Sequence, residues 1–347
     1  MSGPRLALMS TATYRATNGR FDLDDLECYR HELTAYCYRM LGSEFEAEDA
    51  VQETMLRAVR SGHTFEGRST PRSWLYRIAT NICLDLLRSR SRRACPIGLG
   101  PASLPLHSSL GPMLPEQTWI TPAPDFRVLG KEGDPAEIAA ARETIRLAFV
   151  TALQCLPARQ RAVLILCQVL RFEAAEVAEI LGTTVAAVNS TLYRARATLT
   201  ALPADQRPAE VSADHAELLA RYVDAFERYD IAAFVSLLHE DAIQSMPPYS
   251  MWLRGTADIA AWMAGAGSGC RGSRLVPTQA NACPAFGQYR PDPDGGFSPF
   301  ALHILEISCG RLSRLHTFLD VDRLFPLFAL PPHLAWNWPR GGRQVKG

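Results

Sequence analysis

Lysine is nearly missing from this sequence: Lys131 and Lys346 are the only two, and every other basic residue is arginine. The skew fits GC-rich coding as well as chemistry, so arginine richness by itself argues for nothing. Net charge is missing as well. The 36 basic residues offset 36 acidic ones, which excludes a wholly basic nucleic-acid coat protein but leaves room for local basic patches. The nine cysteines form no CxxC pair and no Cys/His cluster at zinc spacing. Reduced thiols in a cytoplasmic protein are the simplest reading, with no metal and no cofactor expected. No apolar run is long enough to span a membrane, so no membrane partner is expected. The first twenty residues lack the apolar core of a signal peptide and read as a disordered leader. There is no internal repeat.

What is present divides the 347 residues into several units. Residues 21–93 carry helical patterns. Residues 94–135 are rich in Pro, Gly and Ser, have no helical period, and read as a linker without a core. Residues 136–201 are helical again. After a short break, residues 211–330 begin with helices and end in strand patterns, and residues 331–347 form a tail.

The first block is well punctuated. Ser43 and Glu46 form a capping box before a helix whose apolar face carries Ala47, Val51, Met55 and Ala58. Its polar face carries Glu48, Asp49, Gln52 and Glu53. An isolated acidic face of this kind is usually solvated surface, and the alternative is docking on a basic partner. A second helix starts at Thr70 and Pro71. Leu75, Ile78, Ile82 and Leu86 form its core stripe. Trp74, Arg77, Asn81 and Arg88 lie off that stripe, and Arg90, Arg92 and Arg93 follow. One or two cations would satisfy the helix dipole. Cations together with an aromatic and an amide suit an unpaired strand, with arginines on phosphates, the ring stacked on a base and the amide on a base edge.

The later block shows a short helix packed through Ala175, Val177, Ala178, Ile180 and Leu181. A turn at Gly182 follows, then a second helix from Thr184 packed through Val188, Leu192 and Leu199. This is a helix-turn-helix pattern, although helical hairpins with glycine turns are common.

Taken together, these stretches resemble a known family. "LTAYCYRMLGSEFEAEDAVQETMLRAVRSGHTFEGRSTPRSWLYRIATNICLDLLRSRSRR" resembles region 2 of sigma-70-family factors of the extracytoplasmic-function type. "ALQCLPARQRAVLILCQVLRFEAAEVAEILGTTVAAVNSTLYRARATL" resembles their region 4. The resemblance implies an RNA polymerase sigma factor that directs promoter-specific initiation by binding, without catalysis. It implies that Glu48, Asp49, Gln52 and Glu53 meet the β′ clamp helices of core polymerase. Trp74, Arg77, Asn81 and Arg88 would melt and read the −10 element of promoter DNA. Ala187, Asn189, Ser190, Arg194 and Arg196 would read the −35 element.

Residues 211–330 resemble the SnoaL-like, nuclear-transport-factor-2-like cone. The implied architecture is multidomain: two all-α sigma domains, a region 2 bundle and a region 4 helix-turn-helix, followed by a C-terminal α+β cone. The SigG-like actinobacterial subgroup, in which such a tail regulates the factor in place of a separate anti-sigma protein, is the nearest pattern. Strands around Cys309-Gly310 read as a hairpin. His239, Asp241, Met246, Tyr249, Trp252, Arg254, His303 and His316 are candidates to line a pocket, with Trp252, Arg254, His303 and His316 as regulatory candidates. For each, a structural role is the commoner one. Two functions stay open for the cone: a regulatory tail, or a small-molecule-binding or isomerase/cyclase-type enzyme domain. Phe325, Leu327 and Phe328 look exposed and able to pack back on the sigma domains.

Overall fold

The computed structural model describes residues 26–62, 65, 67, 69–88, 93–130, 134–202 and 215–341. The expected leader, Arg90 and Arg92 lie outside these residues.

Three helices form the N-terminal bundle: α1 (Arg30–Leu41), α2 (Glu44–Ser61) and α3 (Pro71–Arg88). Gly42 ends α1 at φ 70°, and the Ser43 hydroxyl accepts from the Glu46 N–H at 3.5 Å to start α2. The Thr70 hydroxyl accepts from the Ser73 N–H at 3.0 Å at the head of α3. Tyr36, Met40, Val51, Met55, Leu75 and Tyr76 fill the interior.

Residues 94–130 depart from the expected coreless linker. They hold three 3-10 turns and a one-turn helix, α4 (Asp125–Val128), and they bury Trp119, Ile120 and Ala123. Prolines and glycines prevent a regular helix, so the backbone groups find partners elsewhere. The Thr121 N–H donates to Gly42 (3.0 Å), the Ser103 N–H to Trp252 (2.8 Å) and the Leu114 N–H to Pro248 (3.0 Å). Because these partners are distant in sequence, no local pattern announces them.

The second helical unit comprises α5 (Pro135–Ile145), α6 (Leu147–Gln154), α7 (Ala158–Leu164), α8 (Ala174–Leu181) and α9 (Val185–Thr200). Gly182 takes φ 59° between α8 and α9, a left-handed position that glycine reaches without a Cβ penalty. Val177, Ala178 and Ile180 are buried as expected, but Ala175 is exposed.

In the cone, α10 (Ala216–Arg228) breaks at Tyr229, and the Asp230 carboxylate caps α11 (Ile231–Ser236). Then come β1 (Leu238–Ser245), β2 (Trp252–Arg254), α12 (Thr256–Ala264), β3 (Arg274–Ala280), β4 (Cys283–Pro291), β5 (Phe297–Ser308), β6 (Arg311–Phe318) and α13 (Val321–Leu327). They form one six-stranded sheet ordered β2-β1-β6-β5-β4-β3, antiparallel except for the parallel β1–β6 pair. The predicted hairpin at Cys309-Gly310 joins β5 to β6, with φ values of 50° and 71°.

Antiparallel sheets commonly leave one face in water, but this one does not. Phe286, Leu305 and Ile307 face the cone's own helices with Tyr222, Phe226 and Trp262. Tyr289, Leu302, Ile304 and Phe318 join instead the hydrophobic core that runs through both helical units. Phe325 of α13 and Phe328 at its end, expected to look exposed, are buried in that same core, and Phe325 meets Tyr289 edge-on at 5.1 Å.

Candidate nucleic-acid interface

Trp74, Arg77, Asn81 and Arg88 lie within roughly a 60° arc of α3, since each residue advances about 100° around a helix. Opposite them, Leu75, Tyr76, Ala79, Ile82 and Cys83 are buried. Trp74 is half-buried, with its ring 5.3 Å from that of Phe65. Arg77, Asn81 and Arg88 are exposed, and Arg88 pairs with Asp85 at 2.9 Å. The arc thus offers a propped ring, an amide and two guanidinium groups to one ligand. The basic run that follows is not all of one kind. Arg93 is buried, pairs with Glu46 at 2.5 Å and donates to the Trp119 carbonyl at 2.6 Å, so it clamps the linker to α2.

On α2, Asp49 and Gln52 are exposed, and Glu53 pairs with Arg57 at 2.6 Å. Glu48 is engaged from the linker: Arg127 of α4 lies 3.2 Å from both Glu48 and Glu44. Burial pushes the Glu44 carboxyl up to about 7 against the pull of Arg127. Leu56 and Val59 continue this face as exposed apolar residues.

Ala187, Asn189, Ser190, Arg194 and Arg196 are all exposed on α9, while Val188 and Ala195 are buried. The Thr184 hydroxyl caps the helix through the Ala187 N–H at 3.2 Å. Arg196 sits at the flank, where its guanidinium donates to the Gln168 amide oxygen (2.9 and 3.1 Å) in the amide orientation that satisfies both groups. Tyr193, 76% exposed, stands in the middle of the outer face. The sequence pattern marks it as exposed without grouping it with the −35 candidates, although it is three and four residues on from Ser190 and Asn189 and so shares their face.

The pocket candidates of the cone do not come together. Trp252 is buried and donates from its indole to the Gly100 carbonyl at 3.0 Å, gripping the linker, and Arg254 lies over its ring. Met246 is core, and His239 and Asp241 sit on the outer part of β1. Inside the cone, the Tyr222 hydroxyl meets His303 Nδ1 (2.7 Å), His303 Nε2 meets Gln288 (2.8 Å), and Gln288 donates to Ser273 (2.9 Å). Burial lowers the His303 imidazole to about 3. On the opposite sheet face, Glu306 takes Arg314 at 3.1 Å and His316 at 3.4 Å, and His316 Nδ1 meets the Ser245 hydroxyl at 2.9 Å. The Glu306 carboxyl stands at about 2: burial raises it, but Arg314 and His316 outweigh burial. The cavity there, capped by Cys95, Leu147 and Thr151, is about 20 Å³, enough for a water molecule.

The three units match three families: Sigma-70 region 2 over residues 26–93, Sigma-70 region 4 over 146–199 and the SnoaL-like domain over 219–284. The chain therefore belongs to the extracytoplasmic-function family of RNA polymerase sigma factors, those that carry a C-terminal SnoaL-like domain. It is 45% identical over 319 residues to the sigma factor SigG of Mycobacterium tuberculosis, covering 89% of this chain and 83% of that one. It is 32% identical over 225 residues to SigJ of the same organism, 63% of each chain. The crystal structure of SigJ shares the fold, with a TM-score of 0.59 at 23% identity over 89% of this chain and all of that one. Among the described residues, no helix is long and apolar enough to cross a membrane.

Proposed function

We propose that this sigma factor engages transcription through three surfaces and that its linker and cone hold the two helical units that carry them in a closed arrangement. In this reading Glu48, Asp49, Gln52 and Glu53, extended by Leu56, dock on the β′ clamp helices of core polymerase. Trp74, Arg77, Asn81 and Arg88 take the melted −10 strand. Ala187, Asn189, Ser190 and Arg194, with Tyr193, read the −35 major groove, and Arg196 steadies the helix flank.

Such readers must stand apart. About 25 base pairs separate the −10 and −35 elements, or ~85 Å at ~3.4 Å per pair. Here α3 touches α8 directly: the Ser73 hydroxyl donates to Glu176 at 3.4 Å, and Arg72 lies 4.5 Å over the Phe172 ring. A closed chain of this kind has to open to occupy a promoter.

One observation carries the regulatory part. At the tip of the β3–β4 hairpin, the Asn281 amide donates to the Tyr38 hydroxyl (2.8 Å) and the Ile145 carbonyl (2.7 Å). Its oxygen accepts from the Ala123 N–H (2.9 Å). A single buried side chain thus ties the cone to region 2, the linker and the start of region 4. The cone acts by contact in this reading, not by catalysis. The neutral His303 is enclosed by its own hydrogen bonds, and the Glu306–His316 pair lies under the linker with no room for a substrate.

Asn281→Ala would leave the buried Ile145 carbonyl and Ala123 N–H short of a partner, at about 1–3 kcal/mol each, while the Tyr38 hydroxyl keeps its bond to the Thr121 carbonyl at 2.9 Å. Run-off transcription with core polymerase should then give several-fold more transcript from the variant than from the parent. An equal or smaller yield from a folded variant would remove the hairpin as a restraint.

A further inference from the structure

A second cavity lies outside the cone interior, where linker residues 113–122 cross the β1–β2 connection and the head of α13. Its volume is about 350 Å³, within the range of pockets that hold small organic molecules. Trp119, Ile120, Phe318 and Leu324 form buried apolar walls. The Leu114 N–H donates to the Pro248 carbonyl (3.0 Å) and fixes the linker side to the cone side, where the Leu319 N–H holds the same connection through the Pro247 carbonyl (3.0 Å). The walls are therefore formed before anything binds, which limits the ordering cost of a ligand.

Charge narrows what fits. Three carboxylates, Glu116, Asp320 and Asp322, line the cavity, and among the described residues no cation does. Arg323, beside them, is shared between a close ion pair with Glu116 and a 3.8 Å contact to Asp320. The Asp320 carboxyl is raised by burial first, opposed by Arg323, and then raised further by Glu116 and Asp322. The carboxylates are under-neutralised, and a positive charge arriving there would relieve them. Aromatic walls suit the apolar part of such a ligand, because aromatic rings pack favourably on one another.

We propose that this cleft binds a small aromatic cation, an apolar ring system carrying one protonated amine. The ring would lie against Trp119 and Phe318, and the ammonium would sit among Asp320, Asp322 and Glu116. The ligand would touch linker and cone at once, so it would favour the closed arrangement in proportion to its occupancy. That consequence rests on the closed-state reading above, but the binding does not.

Isothermal titration of the full chain at neutral pH and low salt would test the site, using 1-naphthylmethylamine as cation and 1-naphthoate as its anionic counterpart. The cation should bind saturably and at least tenfold more tightly than the anion. Asp320→Asn with Asp322→Asn should weaken it about tenfold while circular dichroism stays unchanged. Leu114→Trp, which fills the cleft, should abolish binding. Equal binding of cation and anion, indifference to these substitutions, or no binding up to 10 mM amine would each overturn the proposal, the last being roughly the weak limit at which a pocket ligand is still useful. Saturating amine should also lower run-off transcription by the parent and not by the double variant. Binding without that effect would leave the site standing and remove the closed-state reading.

Discussion

His303 shows how a residue that suits catalysis can be occupied by packing. Its ring nitrogens are spent on Tyr222 and Gln288, and burial holds it neutral at about 3. The unfolded chain would bind a proton at His303 near pH 6.5. As pH falls from about 6.5 toward 3, the unfolded state therefore takes up the proton first and the fold loses stability. Glu44, raised to about 7, works in the opposite direction: its contribution improves as pH falls from 7 toward 4.5. Urea melts of the parent and of His303→Gln at pH 7 and pH 5 separate the two effects. The parent should lose more stability between these pH values than the variant does. Equal losses would mean that His303 titrates normally in the fold. Sequence reading placed this histidine among the pocket candidates because imidazole chemistry is visible in a sequence. Its two partners, 81 and 15 residues away, are not.

At the scale of elements, helices α3 and α9 were legible and their attachments were not. The helical period exposed the faces of α3 and α9, because one stripe is apolar and the other polar. Val188 lies inside, Leu192 and Leu199 are half-buried against the core, and Asn189, Ser190 and Arg194 lie outside, as that pattern predicts; Ala195, which it did not single out, is buried too. On the proposed reading, Asn189→Ala should relax base choice at one −35 position by about 1–3 kcal/mol. Arg194→Ala should instead weaken binding to all sequences and reduce the salt slope by about one. Fluorescence anisotropy over a panel of −35 duplexes at several salt concentrations distinguishes them. Unchanged preference in Asn189→Ala would mean that another face of α9 reads the groove. The linker was the opposite case. It was expected to lack a core, yet Trp119 and Ile120 are among the buried residues and Arg93 is the ion-paired clamp that holds them. Its proline and glycine content correctly excluded a long helix and wrongly suggested a free strand of chain.

At the scale of the whole molecule, the sheet makes three units into one body. Its second face, with Leu302 and Ile304, belongs to the core shared by both helical units, and Asn281 locks the junction. If the chain must open at a promoter, a cysteine pair at Ser73 and Glu176 should, once oxidised, hold α3 to α8 and stop initiation. Reduction should restore it. Full transcription from the cross-linked fraction, identified by mass, would show that the two reader domains need not part.

The sequence alone determined the class of protein, the order of its three units and the outer faces of α2, α3 and α9, because helix periodicity, caps and turn glycines are local. It also fixed the β5–β6 hairpin through Cys309-Gly310. Only the tertiary structure decided that the linker is packed, that Arg93 is buried, that Phe325 and Phe328 are core and that the cone grips both sigma domains. Each of these depends on partners far apart in the chain. Asn281 meets Tyr38 across 243 residues and Ile145 across 136, a pairing that no spacing rule can announce.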